Sequence, residues 1–483
     1  MRLEFFSTRW GLVLSTLGIA VGTGNIWRFS RIVAQNGGGS FLIPWIIFLF
    51  IWSIPLIISE FALGKFTRKA PIGAIANISS NKFTWMGAFI AFVSTAIMFY
   101  YSVITGWCIK YLILSLSGDL LTSNTIQTWY DFSSGLNPLL YHFIAMLIGS
   151  LVVYKGIVKG IEKVSRVLVT LLVIILFILF VRAVTLPNAF EGIKYFFTPQ
   201  LEYLTDYKVW LSALTQNAWD TGAGWGLVLT YATYMKQKED IALNATLIGF
   251  GNNSISLLAG IIIFSTVFAL GSNDAIQQIS QSGPANTGLT FIVLPQLFSK
   301  ISETMLINII FASLFFLALS FAAITSLISM IELAVKSLID FGFQRNKATL
   351  FVAIGGFAFG IPSAININFL INQDWVWGVG LILSGAFIAF SIIKYGIDEL
   401  RENVINGIGS DIKIGKWYNV IMKYFIPIQA ILLLSWWLLS STSWDKEWWN
   451  PFHKENLGTC VFQWAIVLAL LIVFNKKISN KIL

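Results

Sequence analysis

"QNAWDTGAGWG", residues 216–226, interrupts an apolar stretch that runs from Val209 to Tyr234. It places the carboxylate of Asp220 and three glycines between 222 and 226 inside a segment of membrane-helix length. In a helix each glycine costs about 1 kcal/mol relative to alanine, and an acid at the bilayer centre costs about 3 kcal/mol. We therefore predict a helix that is broken at mid-membrane depth for a functional reason.

The surrounding chain has the composition of an integral membrane protein. Of its 483 residues 56% are hydrophobic and 11% are charged, which excludes a soluble globular domain. The first apolar run lacks a small-residue cleavage site followed by a polar chain, so it is not a cleavable signal peptide. Runs long enough to cross a bilayer of about 30 Å lie near 10–34, 40–64, 84–115, 138–154, 164–185, 208–235, 241–271, 303–338, 350–367, 375–394, 418–440 and 458–475. They predict an all-α polytopic membrane protein with twelve transmembrane helices.

The formal net charge of +9 reflects membrane topology rather than nucleic-acid binding. Basic residues concentrate at alternate breaks, whereas acids such as Asp119, Glu191 and Asp274 lie in the others. The positive-inside bias therefore places both termini in the cytoplasm, as an even number of spans requires. The basic set comprises Arg2, Arg9, Lys65, Arg68, Lys69, Lys82, Lys155, Lys159, Lys163, Arg166, Lys236, Lys238, Arg345, Lys347, Lys413, Lys416, Lys476, Lys477 and Lys481.

The sequence gives no support for enzymatic chemistry or an organic cofactor. Cys108 and Cys460 both lie in apolar runs, and His142 and His453 are isolated. No metal-binding His/Cys cluster, P-loop or nucleophile elbow is present in the sequence. We expect neither an ATP-driven pump nor a hydrolase.

A second glycine-rich interruption, "AVGTGN" at 20–25, lies five spans before the first. Interrupted helices at matching positions indicate an inverted five-plus-five repeat that meets around a substrate and its coupling ions. Unwound backbone at that depth is tolerated only where it lines a cavity or binds a ligand. The alternative for span 1 is close helix packing, because Gly18 and Gly22 are four residues apart.

Several motifs resemble the neurotransmitter:sodium symporter family. They are "RWGLVLSTLGIAVGTGNIWRFS" (9–30), "QNGGGSFLIPW" (35–45), "IPLIISEFALGK" (54–65), "GIEKVSR" (160–166), "TYATY" (230–234) and "SFAAITSLISMIE" (320–332). The resemblance covers spans 1 to 10 in order. It implies a LeuT-type fold with broken helices 1 and 6, and sodium-coupled symport by alternating access.

The resemblance also implies how the chain is organised. Residues 1–395 would form the inverted-repeat transport core, with spans 1–5 at about 9–185 and spans 6–10 at about 208–395. Residues 396–483 would hold the peripheral spans 11 and 12 and the tail. Short loops and compact termini are typical of prokaryotic members, which favours a cytoplasmic (inner) cell membrane. We expect a monomer or a weak homodimer with no nucleic-acid partner.

By the same resemblance, two sodium sites are expected. The first would use oxygens of Ala20, Asn25, Asp220 and Asn252. The second would use Gly18, Val21, Ala322, Thr325 and Ser326. For Thr325 and Ser326 the alternative is a hydroxyl that bonds to a carbonyl one turn earlier, as is usual in membrane helices.

The expected substrate is a neutral amino acid. Backbone amides of the span 1 break would bind its carboxylate at the positive end of a half-helix, together with the Tyr101 hydroxyl. Amine-transporting relatives place an aspartate at the position of Gly22, and its absence means that the substrate brings its own carboxylate. An aromatic residue on a span usually packs or anchors, so the tryptophans count only because they flank the break. The predicted pocket comprises Ala20, Gly22, Thr23, Gly24, Ile97, Tyr101, Trp219, Asp220, Gly222, Trp225, Ser326 and Met330.

Gates and a support residue are also implied. Arg28 and Asp374 would pair above the substrate, and Asp340 would close the cytoplasmic end. The usual arginine partner of that aspartate falls at Leu3, so we expect Arg2 to substitute for it. Glu60, buried in span 2, would accept hydrogen bonds from the unwound backbone.

Asp220 stands where relatives commonly have Ser or Thr, and Ser256 where chloride-independent relatives have a carboxylate. A chloride-equivalent site would therefore comprise Trp45, Gln216, Asp220 and Ser256. A buried sodium pair needs nearby negative charge, and a fixed carboxylate supplies it without a diffusible anion. We expect Asp220 to ligate sodium and to make transport chloride-independent, with a proton taken up for the return step as a further hypothesis. The alternative is that Asp220 only caps the second half of the broken helix, near residue 223.

Two alternatives to sodium symport stay open at this point. One is a proton-coupled or exchange-type amino-acid transporter of the same fold. The other is a ligand-sensing homologue that transports nothing. Flux into proteoliposomes separates all three.

Overall fold

The computed structural model describes residues 4–271, 274–283 and 286–482. Nine continuous helical stretches in these ranges are long and apolar enough to cross a membrane. A tenth candidate is a helix pair bent by 58°. Two further spans are the broken helices, which bring the architecture into agreement with the predicted twelve. No β-strand is assigned within the described ranges.

The spans follow the predicted apolar runs closely. Their bounds are Arg9–Ala20 with Thr23–Gln35 (span 1), Gly39–Thr67 (span 2), Thr84–Ser117 (span 3), Asn137–Tyr154 (span 4), Ile157–Val184 (span 5), Tyr207–Asp220 with Leu227–Ala232 (span 6), Ile241–Leu270 (span 7), Met305–Asp340 (span 8), Arg345–Ile365 (span 9), Ile367–Tyr395 (span 10), Trp417–Trp444 (span 11) and Leu457–Val473 with Asn475–Ile482 (span 12).

The connections contain short helices that the loop composition alone did not predict. They are Pro71–Ser79, Asp119–Thr122, Thr125–Ser133, Ala189–Phe197, Ala275–Ser280, Leu289–Phe298 and Ile397–Leu400. Spans 2 and 5 also contain π-helical segments, Leu49–Ser53 and Ile157–Glu162. Such segments add a residue to a turn and redirect the side chains that follow.

Both predicted breaks are present. Span 1 leaves the helix only at residues 21 and 22, so its break is narrower than the predicted 20–25. Span 6 leaves it from 221 to 226. The long helices of spans 3 and 8 pack against each other beside both breaks, with Gly18 of span 1 placed so that a Cβ would lie 3.1 Å from Thr325 Cβ.

The basic ends of the spans meet at one end of the molecule. Arg68 donates to the Met235 carbonyl, and Lys65 donates to the carbonyls of Glu239 and Ile408 at 2.8 and 3.1 Å. At the same end, Lys69 donates to the Ile482 carbonyl at 2.7 Å. These contacts bring together basic ends of spans that the charge pattern had placed on the same side of the membrane.

Candidate functional site: the two helix breaks and the cavity between them

The second half of span 1 is capped at its N-terminus by a side chain from its own first turn, that of Asn25. Gly22 is the N-cap residue, and its N–H donates to Asn25 Oδ1 at 2.8 Å. The Asn25 amide in turn donates to Asn252 Oδ1 at 2.7 Å and to the Ser256 hydroxyl at 2.8 Å. This chain of bonds fixes span 7 against the break of span 1.

Three oxygens converge beside this cap. Asn252 Oδ1 lies 3.1 Å from the Ala20 carbonyl oxygen and 3.2 Å from the Asp220 carbonyl oxygen. If the side-chain amide of Asn252 were rotated by 180°, its NH₂ group would donate to both carbonyls. The arrangement therefore suits either an amide N–H or a cation. Oxygens bonded to one cation at about 2.4 Å lie roughly 3.2–3.4 Å from one another, which matches this spacing.

A second group of oxygens lies between spans 1 and 8. The Ser326 hydroxyl faces the carbonyl oxygens of Gly18, Ile19 and Val21 at 3.4, 3.5 and 3.5 Å. A hydroxyl has one proton, so it cannot satisfy three carbonyls at once. The three carbonyls together form an electron-rich cradle.

Thr325 instead bonds within its own helix. Its hydroxyl donates to the carbonyls of Phe321 and Ala322, each at 3.0 Å. This is the back-bonded arrangement that was the alternative for this residue. The hydroxyl can still offer a lone pair to a cation, because the donated proton leaves its acceptor side free.

A cavity of about 460 Å³ opens between the two breaks. It continues outward past Arg28 and Asp374 to a wall of tryptophans. All the predicted pocket residues line it: Ala20, Gly22, Thr23, Gly24, Ile97, Tyr101, Trp219, Asp220, Gly222, Trp225, Ser326 and Met330.

The Gly22 position lies close to two hydroxyl groups. A Cβ there would lie 3.2 Å from both the Ser326 and the Tyr101 hydroxyl oxygens. The Tyr101 hydroxyl also accepts from the Thr23 N–H at 3.4 Å. With glycine at residue 22, the cavity presents hydroxyls and backbone amides at this point.

Asp220 faces span 1 rather than the amides that follow it. Its carboxylate accepts a hydrogen bond from Gln216, and a Cβ on Gly24 would lie 2.8 Å from its Oδ1. The capping alternative is wrong for this side chain, because the Ala223 N–H bonds to the Thr221 hydroxyl instead.

The other members of the predicted chloride-equivalent site have different partners. Ser256 accepts from Asn25, as described above. Trp45 packs its indole 4.7 Å from the Phe29 ring, and its buried N–H has no hydrogen-bond partner among the described residues. The Gln216 side-chain oxygen is likewise buried without a partner in that part of the chain.

Glu60 anchors the span 6 break. Its carboxylate accepts from the Gly224 N–H at 2.6 Å and from the Leu229 N–H at 3.0 Å. The Ser94 hydroxyl donates to the Trp225 carbonyl at 2.5 Å. One amide and one carbonyl of the unwound segment, and one amide in the first turn of the helix that follows, are thereby satisfied inside the membrane, where water cannot do so.

The outer residues do not form the expected pair. No ion pair within 4.0 Å joins Arg28 to Asp374 in the described chain, although both line the cavity. The Arg28 guanidinium lies instead 3.9 Å from the centre of the Trp219 ring. That ring packs so closely on span 10 that a Cβ on Gly378 would lie 2.1 Å from it. The arginine therefore makes a cation–π contact but no direct ion pair with Asp374.

At the inner end, Asp340 pairs with a residue of its own helix. Lys336, one turn earlier, donates to its carboxylate, and the Ala70 N–H donates to it at 2.6 Å. The expected partner Arg2 lies outside the described residues. Nearby, Phe6 packs between Tyr231 and Tyr234 and donates its N–H to the Tyr234 carbonyl at 3.0 Å.

One buried charged network was not predicted. Arg345 donates to both oxygens of Glu332, at 2.8 and 2.9 Å, and Tyr234 donates to the same carboxylate at 2.5 Å. A signal was available, since Glu332 is an acid in an apolar span and Arg345 begins the next helix. What the sequence could not supply was their pairing across the loop.

Comparison with known proteins assigns the chain to a family. A family model described as the sodium:neurotransmitter symporter family matches residues 3–134 and 134–480. The chain belongs to this family. It is therefore a sodium-dependent secondary transporter of the membrane and not an enzyme, as predicted.

Two relatives and one solved structure illustrate the similarity. An uncharacterized sodium-dependent transporter of Methanocaldococcus jannaschii is 33% identical over 445 residues, which is 89% of each chain. The uncharacterized sodium-dependent transporter YhdH of Bacillus subtilis is 29% identical over 455 residues, covering 89% of this chain and 96% of that one. The crystal structure of MhsT in complex with L-phenylalanine superposes with a TM-score of 0.79 at 27% identity, covering 89% of this chain and 98% of MhsT. The predicted LeuT-type fold is confirmed.

Proposed function

We propose that this symporter carries a neutral amino acid together with two sodium ions by alternating access. The observation that carries the proposal is that the carbonyl oxygens of Ala20 and Asp220 both lie 3.1–3.2 Å from one end of the Asn252 amide, an arrangement that suits a cation as well as an amide N–H. Mutually repelling oxygens are stabilised when a cation lies among them. The cradle of carbonyls around Ser326 would hold the second ion.

The substrate would bind by its carboxylate. The first amides of the half-helix that begins at Thr23 carry the positive end of the helix dipole. The Tyr101 hydroxyl faces the same point, and Gly22 supplies no acidic side chain that would attract an amine. The similarity to MhsT, whose structure holds L-phenylalanine, supports an amino acid as the substrate.

Asp220 would supply the negative charge that the ions need. Its carbonyl belongs to the converging oxygens, and its carboxylate is buried beside Gly24. A permanent carboxylate makes an added anion unnecessary, so transport would be chloride-independent. The basic end of the molecule would face the cytoplasm, by the positive-inside bias.

The test is uptake by the purified protein in proteoliposomes. A screen of the twenty amino acids by thermal shift, in Na⁺, Li⁺ or K⁺, first identifies the substrate, because a ligand that binds the folded state raises its stability. Uptake of that substrate is expected to need an inward Na⁺ gradient and to persist when gluconate replaces chloride. Uptake that follows a proton gradient without Na⁺ would contradict the sodium coupling. Collapse in gluconate would contradict only the role of Asp220.

A further inference from the structure

A second cavity lies outside the transport site, in the cleft between spans 4 and 5. It has a volume of about 360 Å³. Its lining consists of three lysines and five aliphatic residues: Leu151, Val152, Lys155, Lys159, Lys163, Val164, Val167 and Leu168. The cleft is therefore basic at one end and apolar along its length.

The three lysines are not neutralised by neighbouring acids. Lys155, Lys159 and Lys163 are exposed and make no ion pair within 4.0 Å in the described chain. Two acids that contact this region, Glu162 and Glu4, are engaged by other groups. Glu162 accepts from the Ser7 N–H and hydroxyl at 2.7 and 2.6 Å, and Glu4 accepts from the Ile157 N–H at 2.9 Å.

The backbone holds the lysines together. At Gly160 a Cβ would lie 2.0 Å from the Val152 carbonyl oxygen and 3.1 Å from Lys155 Cβ. This close approach presses the start of span 5 onto the end of span 4. Lys159 and Lys163 are four residues apart, and both line the same cleft as Lys155.

The apolar part of the cleft opens towards the lipid. Leu151 is 52% exposed and Val167 is 48% exposed, on helices that span the membrane. Continuous with the lysines, these side chains form a track of the kind that an acyl chain follows below its headgroup. A free phosphate ion would gain nothing from that track.

We propose that this cleft binds an anionic phospholipid, with its phosphate among Lys155, Lys159 and Lys163 and an acyl chain along Leu151 and Val167. Basic pockets between transmembrane helices on the cytoplasmic side bind such headgroups. This end of the molecule is the basic one, where Arg345 of span 9 also donates to the Val153 carbonyl at 3.4 Å. The position of the cleft, away from both helix breaks, makes the lipid site separate from substrate and sodium.

The test is native mass spectrometry of the full-length protein, titrated with phosphatidylglycerol or phosphatidylethanolamine of the same acyl chains. The wild type is expected to retain phosphatidylglycerol more tightly. Each lysine is worth about fivefold in affinity, so the triple variant K155Q/K159Q/K163Q is expected to lose about a hundredfold. The matched control K476Q/K477Q/K481Q removes equal charge from exposed lysines of the same end and is expected to keep the preference.

Two further measurements complete the test. One distinguishes binding of a lipid from binding of a free phosphate, and the other distinguishes the effect of charge from that of the shape of the cleft. Inorganic phosphate and glycerol 3-phosphate, in millimolar excess, are expected to leave the lipid bound. Leu168→Trp fills the cleft without changing its charge and is expected to lower lipid retention. This variant also tests the proposal if the triple lysine variant does not fold. Equal retention of both lipids by the wild type, unchanged retention after Leu168→Trp, equal loss in the control, or displacement by free phosphate would each overturn the proposal.

Discussion

The two helix breaks differ in how their unwound backbone is stabilised. The break of span 1 occupies residues 21 and 22 and is capped by a side chain one turn further on, Asn25. The break of span 6 occupies 221–226, where three glycines have φ of +70°, +88° and +76°, and Glu60 of another helix holds it. Gly22 of span 1 has a negative φ and lies between two hydroxyls, whereas the glycines of span 6 have positive φ, which other residues rarely adopt.

The largest expected effect is on the anchor of the long break. In Glu60→Gln one of the two donors, Gly224 N–H or Leu229 N–H, faces an amide NH₂ and stays unsatisfied. An unsatisfied buried group costs about 1–3 kcal/mol, and more where a charged partner is lost. The melting temperature of the purified protein is expected to fall clearly, while the exposed Glu303→Gln control leaves it unchanged. Equal melting temperatures would mean that span 6 does not need this anchor.

The difference between the two kinds of glycine is tested by a matched pair of substitutions. Gly224→Ala forces a side chain into positive φ and brings Cβ to 2.9 Å from Gly385 Cα, so it is expected to destabilise the protein by about 1–2 kcal/mol or more. Gly22→Ala has permitted backbone angles but fills the space between two hydroxyls. It is expected to keep the melting temperature and abolish the substrate-induced shift. The reverse pattern would refute the distinction.

An intermediate effect is expected at the residue that joins the two breaks. Asp220→Asn preserves shape and removes charge, so the Na⁺ concentration for half-maximal substrate binding is expected to rise at least tenfold, or about 1.4 kcal/mol. Asp206→Asn is the control, because it caps the start of span 6 in exposed surroundings and asparagine caps equally well. An unchanged Na⁺ dependence in Asp220→Asn would remove the carboxylate from the ion site.

The smallest effect is expected in the cradle facing span 1. Ser326→Ala removes the hydroxyl that faces three carbonyls, whereas Thr325→Ala removes one that already bonds within its own helix. We expect Ser326→Ala to raise the half-saturating Na⁺ concentration about fivefold, as the loss of one oxygen contact of about 1 kcal/mol would. Thr325→Ala is expected to raise it less. Competitive binding assays over a range of Na⁺ concentrations measure both.

Much of the fold was predictable because each membrane span can be recognised from its own run of apolar residues. Apolar runs gave the spans, and the glycines with Asp220 gave the breaks. The π-helical segments Leu49–Ser53 and Ile157–Glu162 had no such signal, because they depend on packing against neighbouring helices.

Within the site, local signals gave the candidate residues but not their choice of partner. Arg28 has an acid and an aromatic ring within reach, and only the packing of Trp219 on Gly378 decides between them. Asp340 likewise has a partner one turn away on its own helix, Lys336, which the sequence analysis did not consider, while its pairing with Arg2 stays a prediction. Competition between partners is a property of the assembled bundle and not of any one segment.

The pairing of Lys336 with Asp340 has a consequence for turnover. Because both charges lie on one helix, this ion pair does not connect span 8 to the residues before span 1, and it need not break when those residues move. Among the described residues, this end of the chain is held by ring contacts such as Phe6 with Tyr231, by backbone hydrogen bonds, and by Arg9, which lies 3.9 Å from Glu239 and 3.8 Å from Asp411. Salt screens the exposed Arg9 pairs but not the ring contacts, so release of this segment should depend strongly on temperature and only weakly on salt.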